Sequence, residues 1–181
     1  MTSNGCVSER GRCMEKKRQI KLVKKAKQGD AKAFIELCEN YQQVMYNSAY
    51  KILLNNHDVA DCLQETEIRA WQKMSQLKNE SSFNTWFFSI MLNLAKDIIK
   101  KREASVEFEE QFVGTTSYHY DESNLTQALN YLSEIYRTPL VLHYYAGFKI
   151  KEIADQLNIS ENTVKTRLAR GRAKLKTLLE V

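Results

Sequence analysis

The stretch IKEIADQLNISENTVKTRLARGRAKLK, residues 150–176, decides how the C-terminal part of this chain folds. Ile150, Ile153, Ala154 and Leu157 recur at three and four, which predicts a short helix with one apolar face. Asn158, Ile159 and Ser160 interrupt that pattern. Asn tolerates the left-handed backbone a tight turn needs, Ile159 plugs the corner, and Ser160 can cap the next helix at its first free amides. Val164 and Leu168 then hold a second helix down, and Ala154 is small where the two helices cross. This is the layout of a helix-turn-helix. With Val164 and Leu168 inward, the outer face carries Glu161, Asn162, Thr163, Lys165, Thr166, Arg167 and Arg170, followed by Arg172, Lys174 and Lys176. Arg and Lys donate to guanine edges and phosphates, Asn pairs with adenine, and Thr reaches phosphate or a thymine methyl. The last three basic residues suit phosphate, a contribution that weakens with salt.

The rest of the chain is read outward from that module. Only one proline and six glycines punctuate 181 residues, and apolar residues recur at three and four rather than at two, so the fold class is all-α. Hydrophobic residues at 43% and charged residues at 27% exclude wholesale disorder. No run approaches the roughly 18 consecutive apolar residues of a membrane span, and the N-terminus lacks the apolar core of a signal peptide. The expectation is a cytoplasmic protein with no membrane insertion of its own. Cys6, Cys13, Cys38 and Cys62 show no paired spacing and are read as reduced. His57 and Cys62 have no second ligand pair nearby, so neither a metal nor another cofactor is expected.

The net charge of +5 is modest, but its distribution is uneven. Basic residues crowd Arg10–Lys27, Lys96–Arg102 and Lys165–Lys176, and acids occupy Glu103 to Glu122. Phe34, Leu37, Tyr41, Met45, Ala49 and Ile52 form a stripe of helical period, started by Asp30 as a cap. Asn55, Asn56 and His57 break it, and Asp58 can cap a second helix with the stripe Val59, Cys62, Leu63, Thr66, Ala70, Met74 and Leu77. A third helix runs from Phe83 to the basic cluster at Lys100–Arg102. Pro139 either starts or bends a later helix. These breaks divide the chain into a basic N-terminal extension (1–23), a first helical domain (24–102), a flexible acidic linker (103–124) and a small C-terminal domain holding the helix-turn-helix (125–181).

ADCLQETEIRAW (Ala60–Trp71), then SSFNTWFFSIMLNLAKDIIKKR (Ser81–Arg102), then the terminal module from Gly147 to Leu179, in this order and spacing, resemble the extracytoplasmic-function sigma factors of the sigma-70 family. The resemblance covers about Lys24 to Leu179. It implies a specificity subunit without catalytic chemistry, whose partners are core RNA polymerase, promoter DNA and an anti-sigma factor. It implies that Asp61, Gln64, Glu65, Ile68 and Trp71 dock on the clamp of the largest polymerase subunit. Gln64, Ile68 and Trp71 also lie off the core stripe, leaving a face that wants a partner helix.

By the same resemblance, the loop and helix from Lys78 to Arg102 open the minus-ten element and hold a flipped base, a task needing aromatic walls, polar edges and cations. Asn79, Ser81, Ser82, Asn84, Asn93, Lys96, Lys100 and Arg102 supply the polar and cationic groups, while Phe83, Trp86 and Phe87 mainly suit the core. The C-terminal domain would sit on the flap of the second-largest subunit and read the minus-thirty-five element with Glu161, Asn162, Thr163, Lys165, Thr166, Arg167, Arg170, Arg172 and Lys174. The first thirteen residues match nothing in the family, and Met14 before the basic run resembles an alternative start. A stand-alone helix-turn-helix regulator is the competing reading. An enzyme is a distant third, because His57, His119 and His143 are scattered and no nucleophile set or phosphate loop is present.

Overall fold

The computed structural model describes residues 14–106 and 124–180. Among these the chain is all-helical: α1 (Lys16–Lys27), α2 (Ala31–Leu53), α3 (Asn56–Lys73), α4 (Phe83–Val106), α5 (Asn124–Asn130), α6 (Glu134–Tyr144), α7 (Ile150–Leu157) and α8 (Glu161–Leu179). Two short 3-10 turns, Met74–Gln76 and Glu80–Ser82, join α3 to α4. Most of the acidic linker lies outside the described residues, as do Cys6 and Cys13.

The first domain is organised around α2, which packs on α1, α3 and α4. Its stripe is inward as expected: Leu37 and Ala49 are fully buried, and Phe34, Tyr41, Met45 and Ile52 nearly so. Asp30 accepts the Ala33 amide at 3.1 Å and starts the helix. At the other end Leu54 adopts a left-handed backbone (φ 57°), which stops α2 without a glycine. The cap of α3 differs from expectation. Asn55, not Asp58, accepts the first amide, from Asp58 itself at 3.1 Å. Asp58 is drawn away by Arg102, whose guanidinium bonds its carboxylate and also donates to the Leu53 carbonyl at 2.9 Å. One cation thus ties the C-terminal part of α4 to the α2–α3 corner.

Helix α1 crosses the expected boundary at residue 24. Its Gln19, Leu22, Val23 and Ala26 are buried against the domain while Lys16, Lys17, Lys21, Lys24 and Lys25 face outward. Gln19 accepts the Tyr41 hydroxyl at 3.1 Å, so from Lys16 onward the basic run is one face of a packed helix.

In the second domain α6, α7 and α8 pack on one another. Pro139 lies inside α6, fully surrounded, where it removes one amide donor from the helix. Helix α8 approaches α6 through Gly171, where a Cβ would come within 2.9 Å of the Leu140 side chain. The domains meet along α6 and α2. Arg137 is buried there and donates to the carbonyls of Leu132 (3.2 Å) and Ile52 (3.4 Å). Burial lowers its guanidinium pKa, against a smaller raising effect of Glu134. Phe88 and Phe148 meet edge to face at 5.2 Å, and Gln156 donates to the Thr85 carbonyl.

Candidate nucleic-acid and polymerase-docking surfaces

The helix-turn-helix is assembled by local contacts. Asn158 takes the left-handed conformation (φ 53°) that ends α7, and the Ile159 amide returns to the Ala154 carbonyl at 3.1 Å. Ser160 accepts the Thr163 amide at 3.1 Å and shares a hydrogen bond with the Thr163 hydroxyl. Glu152 accepts the Lys149 amide at 2.8 Å and secures the start of α7. Ile153 and Val164 are fully buried, and Leu168 and Ala154 nearly so.

That packing leaves Glu161, Asn162, Lys165, Thr166 and Arg170 exposed on α8, with Thr163 and Arg167 half-buried at its flank. The Thr166 hydroxyl is turned back on the Asn162 carbonyl at 2.9 Å. Arg172 donates to the Tyr144 hydroxyl at 3.4 Å, and Lys174 lies over the Tyr136 ring at 5.8 Å. An open groove runs between the start of α6 and this face, bounded by Ile135 and Tyr136 on one side and Asn162, Thr166, Arg167 and Arg170 on the other. Ile135 and Tyr136 were not among the sequence candidates; their exposure depends on how α6 crosses α8.

On α3 the expected core stripe is inward: Val59, Thr66 and Ala70 are fully buried and Cys62 nearly so, with Thr66 satisfied by the Cys62 carbonyl at 2.6 Å. The opposite side presents Asp61, Gln64, Ile68 and Trp71. Ile68 is 45% exposed and Trp71 38%, two large apolar side chains three residues apart on one helix face. One side of the Trp71 ring tilts against buried Phe34 at 5.2 Å. Glu65 is paired with Arg69 at 2.6 Å, and Asp61 with His57 at 3.2 Å. Burial pushes the Cys38 thiol up to about 12, helped by Glu67, and the Cys62 thiol to about 11, so both stay neutral and weakly nucleophilic.

The remaining candidates lie along the loop and α4. Asn79 accepts both the amide and the hydroxyl of Ser81, at 3.0 and 2.8 Å, and folds the Glu80–Ser82 turn upon itself. Phe83 is fully buried and Phe87 nearly so, their rings stacked at 5.3 Å, while Trp86 is half-buried at the surface. Asn84 is half-buried, with a side-chain oxygen that has no hydrogen-bond partner among the described residues. Asn93, Lys96 and Lys100 are exposed along α4. Arg102 stands apart from them, engaged by Asp58 and Leu53 as a brace of the domain. The structure therefore gathers the candidates into three surfaces: the α8 face, the exposed side of α3, and the loop with α4.

Among the described residues no group of His, Cys, Asp and Glu is placed to hold a metal ion, and no helix is long and apolar enough to cross a membrane.

Comparison with known proteins follows the same division. Residues 37–105 match the family described as Sigma-70 region 2, and residues 122–175 match Sigma-70, region 4. The chain is 32% identical over 178 residues to the ECF RNA polymerase sigma factor SigW of Bacillus subtilis (strain 168), covering 88% of this chain and 95% of that one. It is 28% identical over 150 residues to the RNA polymerase sigma factor SigV of the same organism, covering 80% and 90%. Among solved structures, CnrH in complex with the cytosolic domain of CnrY is similar with a TM-score of 0.69 at 25% identity, covering 90% of this chain and 97% of that one. The fold is also shared, at a TM-score of 0.70 and 24% identity, with the sigma factor RpoE from Bartonella quintana, covering 81% and 98%. The chain belongs to the extracytoplasmic-function sigma factors of the sigma-70 family.

Proposed function

We propose that this chain binds core RNA polymerase and directs promoter-specific initiation, capturing and melting the minus-ten element with its first domain and reading the minus-thirty-five element with α8. The observation that carries this reading is the exposed Ile68 and Trp71 on a helix whose other face is already buried. Apolar area of that kind is stabilised by a partner, and a regulator acting alone on DNA has no use for it. Gln64 and Asp61 border it with hydrogen-bonding groups, and Glu65 can exchange Arg69 for a partner cation.

Asn93, Lys96 and Lys100 would hold the phosphates of the displaced strand along α4. Asn79, Ser81, Ser82 and Asn84 would face the extracted base, with Trp86 as the accessible aromatic wall. Arg102 contributes by fixing α4 to the α2–α3 corner. In the second domain Asn162, Lys165, Thr166, Arg167 and Arg170 would meet base edges and nearby phosphates, with Glu161 and Thr163 at the entry of the helix and Arg172 and Lys174 on the backbone. The first domain begins at α1 and not at residue 24, and residues 103–124 would link the two. The protein would act in the cytoplasm and use no catalytic group of its own. Likeness to CnrH, solved with the cytosolic domain of CnrY, and the fold shared with RpoE, solved with the anti-sigma factor NepR, support control by an anti-sigma protein.

Two variants separate the surfaces. Gln64→Ala with Ile68→Ala should weaken core binding at least tenfold, on the scale of a small interface hot spot, and leave duplex binding by α8 intact; unchanged core affinity would remove the docking assignment. Arg167→Ala should do the reverse. Loss of core binding in that variant would show that α8 has been given the wrong partner.

A further inference from the structure

Helix α1 takes no part in the proposed contacts with DNA or polymerase, yet it packs against both 3-10 turns that precede α4. Its last residue, Lys27, reaches out of the helix to the loop. The Lys27 ammonium donates to the Leu77 carbonyl at 2.8 Å and to the Glu80 carboxylate at 2.8 Å. The two side chains are only 24% and 25% exposed, so the pair is partly shielded from water. The Lys27 hydrogen bond holds the Glu80 carboxyl below its ordinary range, and the Lys24 charge adds to the effect.

The loop has few other ties. Leu77 is buried, but Lys78 and Asn79 are exposed, and the hydrogen bonds of Asn79 stay within the turn, to Ser81. Lys27 therefore bridges both ends of the segment from Leu77 to Glu80 and fastens them to a helix fifty residues earlier. A segment that must hold an unstacked base gains by being shaped beforehand, because ordering it on binding would subtract from affinity. A bare Glu80 carboxylate beside an incoming phosphate would also repel it.

Resting on the minus-ten assignment, we infer that Lys27 is a positioning residue for promoter opening: it holds the Leu77–Ser82 loop in its receiving shape and neutralises Glu80. The residue touches the loop and not the DNA. Its contribution should therefore appear in strand capture and loop order, with core docking and duplex recognition unaffected.

The test uses holoenzyme reconstituted with core polymerase, and a labelled single-stranded oligonucleotide carrying the non-template minus-ten sequence of a promoter mapped by run-off transcription. Lys27→Met keeps the aliphatic stem and removes the ammonium. It should lower oligonucleotide affinity about tenfold, the scale of one charge-assisted hydrogen bond. Amide exchange at residues 77–82 should quicken, while core affinity and minus-thirty-five duplex binding stay as in the wild type. Lys27→Arg, which can still donate to both acceptors, should restore most of the affinity. Unchanged strand binding by Lys27→Met, or loss of core binding in equal measure, overturns the inference. Should Lys27→Met fail to fold, Glu80→Ala cuts one anchor from the loop side, and wild-type amide exchange at residues 77–82 in that variant overturns it as well. If wild-type holoenzyme does not bind the strand, the minus-ten assignment falls and takes this inference with it; if wild type binds and the variants bind equally, this inference falls alone.

Discussion

Helix α8 and the loop from Leu77 to Ser82 are proposed to meet the same kind of ligand, but they hold their shape by different means. The reading face of α8 is set up from nearby: Asn158 turns the chain, Ser160 caps the helix, and Val164 and Leu168 press it onto α6 and α7. The loop is set up from far away, by Lys27 on α1 and by Tyr41 on α2, against which the adjoining Phe83 ring is buried. A locally organised surface survives small changes elsewhere, whereas a remotely organised one inherits every change in its supports.

The largest effect should come from removing the floor of the remote surface. Phe83 is fully buried between Tyr41, Trp86 and Phe87. Phe83→Ala should cost about 4 kcal/mol of stability, measured by urea unfolding, and should abolish minus-ten strand capture. If strand capture persists in the folded fraction, the loop does not depend on its floor and the comparison loses one side.

Gly171→Val comes next. The side chain must enter where a Cβ alone would lie 2.9 Å from Leu140, itself buried. Separation of α8 from α6 should cost about 2 kcal/mol and weaken duplex binding in proportion. A neutral result would mean that α6 yields more easily than its packing suggests.

Arg102→Met should cost about 2 kcal/mol by losing hydrogen bonds from a charged donor to Leu53 and Asp58. Because this brace also lies outside the loop, strand capture should fall in parallel with stability. A fall in strand capture with stability retained would instead give Arg102 a direct phosphate contact.

The local side is tested by the smaller effects. Ser160→Ala removes the cap of α8 and should cost about 1 kcal/mol, leaving minus-ten capture untouched. Lys174→Ala should cost little stability and reduce the salt dependence of duplex binding by about one unit of slope.

The same contrast explains what could be read from the residues in order. The α8 face was legible because the residues that turn the chain, cap the helix and bury its inner side lie within Ile150–Leu168 and obey helical spacing. The stripes of α2 and α3 were legible for that reason too. Helix α1 carried the signal at Gln19, Leu22, Val23 and Ala26, but the density of lysine around them read as an extension, since charge on the outer face says nothing about what the inner face meets. The cap of α3 was ambiguous because Asn55 and Asp58 are both good caps three residues apart. In the structure Asn55 caps, and the Asp58 carboxylate is engaged by Arg102, 44 residues further on. The meeting of α6 with α2 was invisible in the pattern, because it buries Arg137, a residue whose type alone predicts solvent. Contacts of Lys27, Arg102 and Arg137 share one property: a long flexible cation chooses a distant carbonyl, and no local period records that choice.

The central claim is that the chain works as the specificity subunit of RNA polymerase, and run-off transcription tests it most directly. Purified bacterial core polymerase would be assayed with and without this protein on genomic fragments from its own host. The account predicts discrete transcripts that appear only with the protein and disappear with the Gln64→Ala, Ile68→Ala double variant. Absence of such transcripts, with specific duplex fragments shifted by the protein alone, would contradict it.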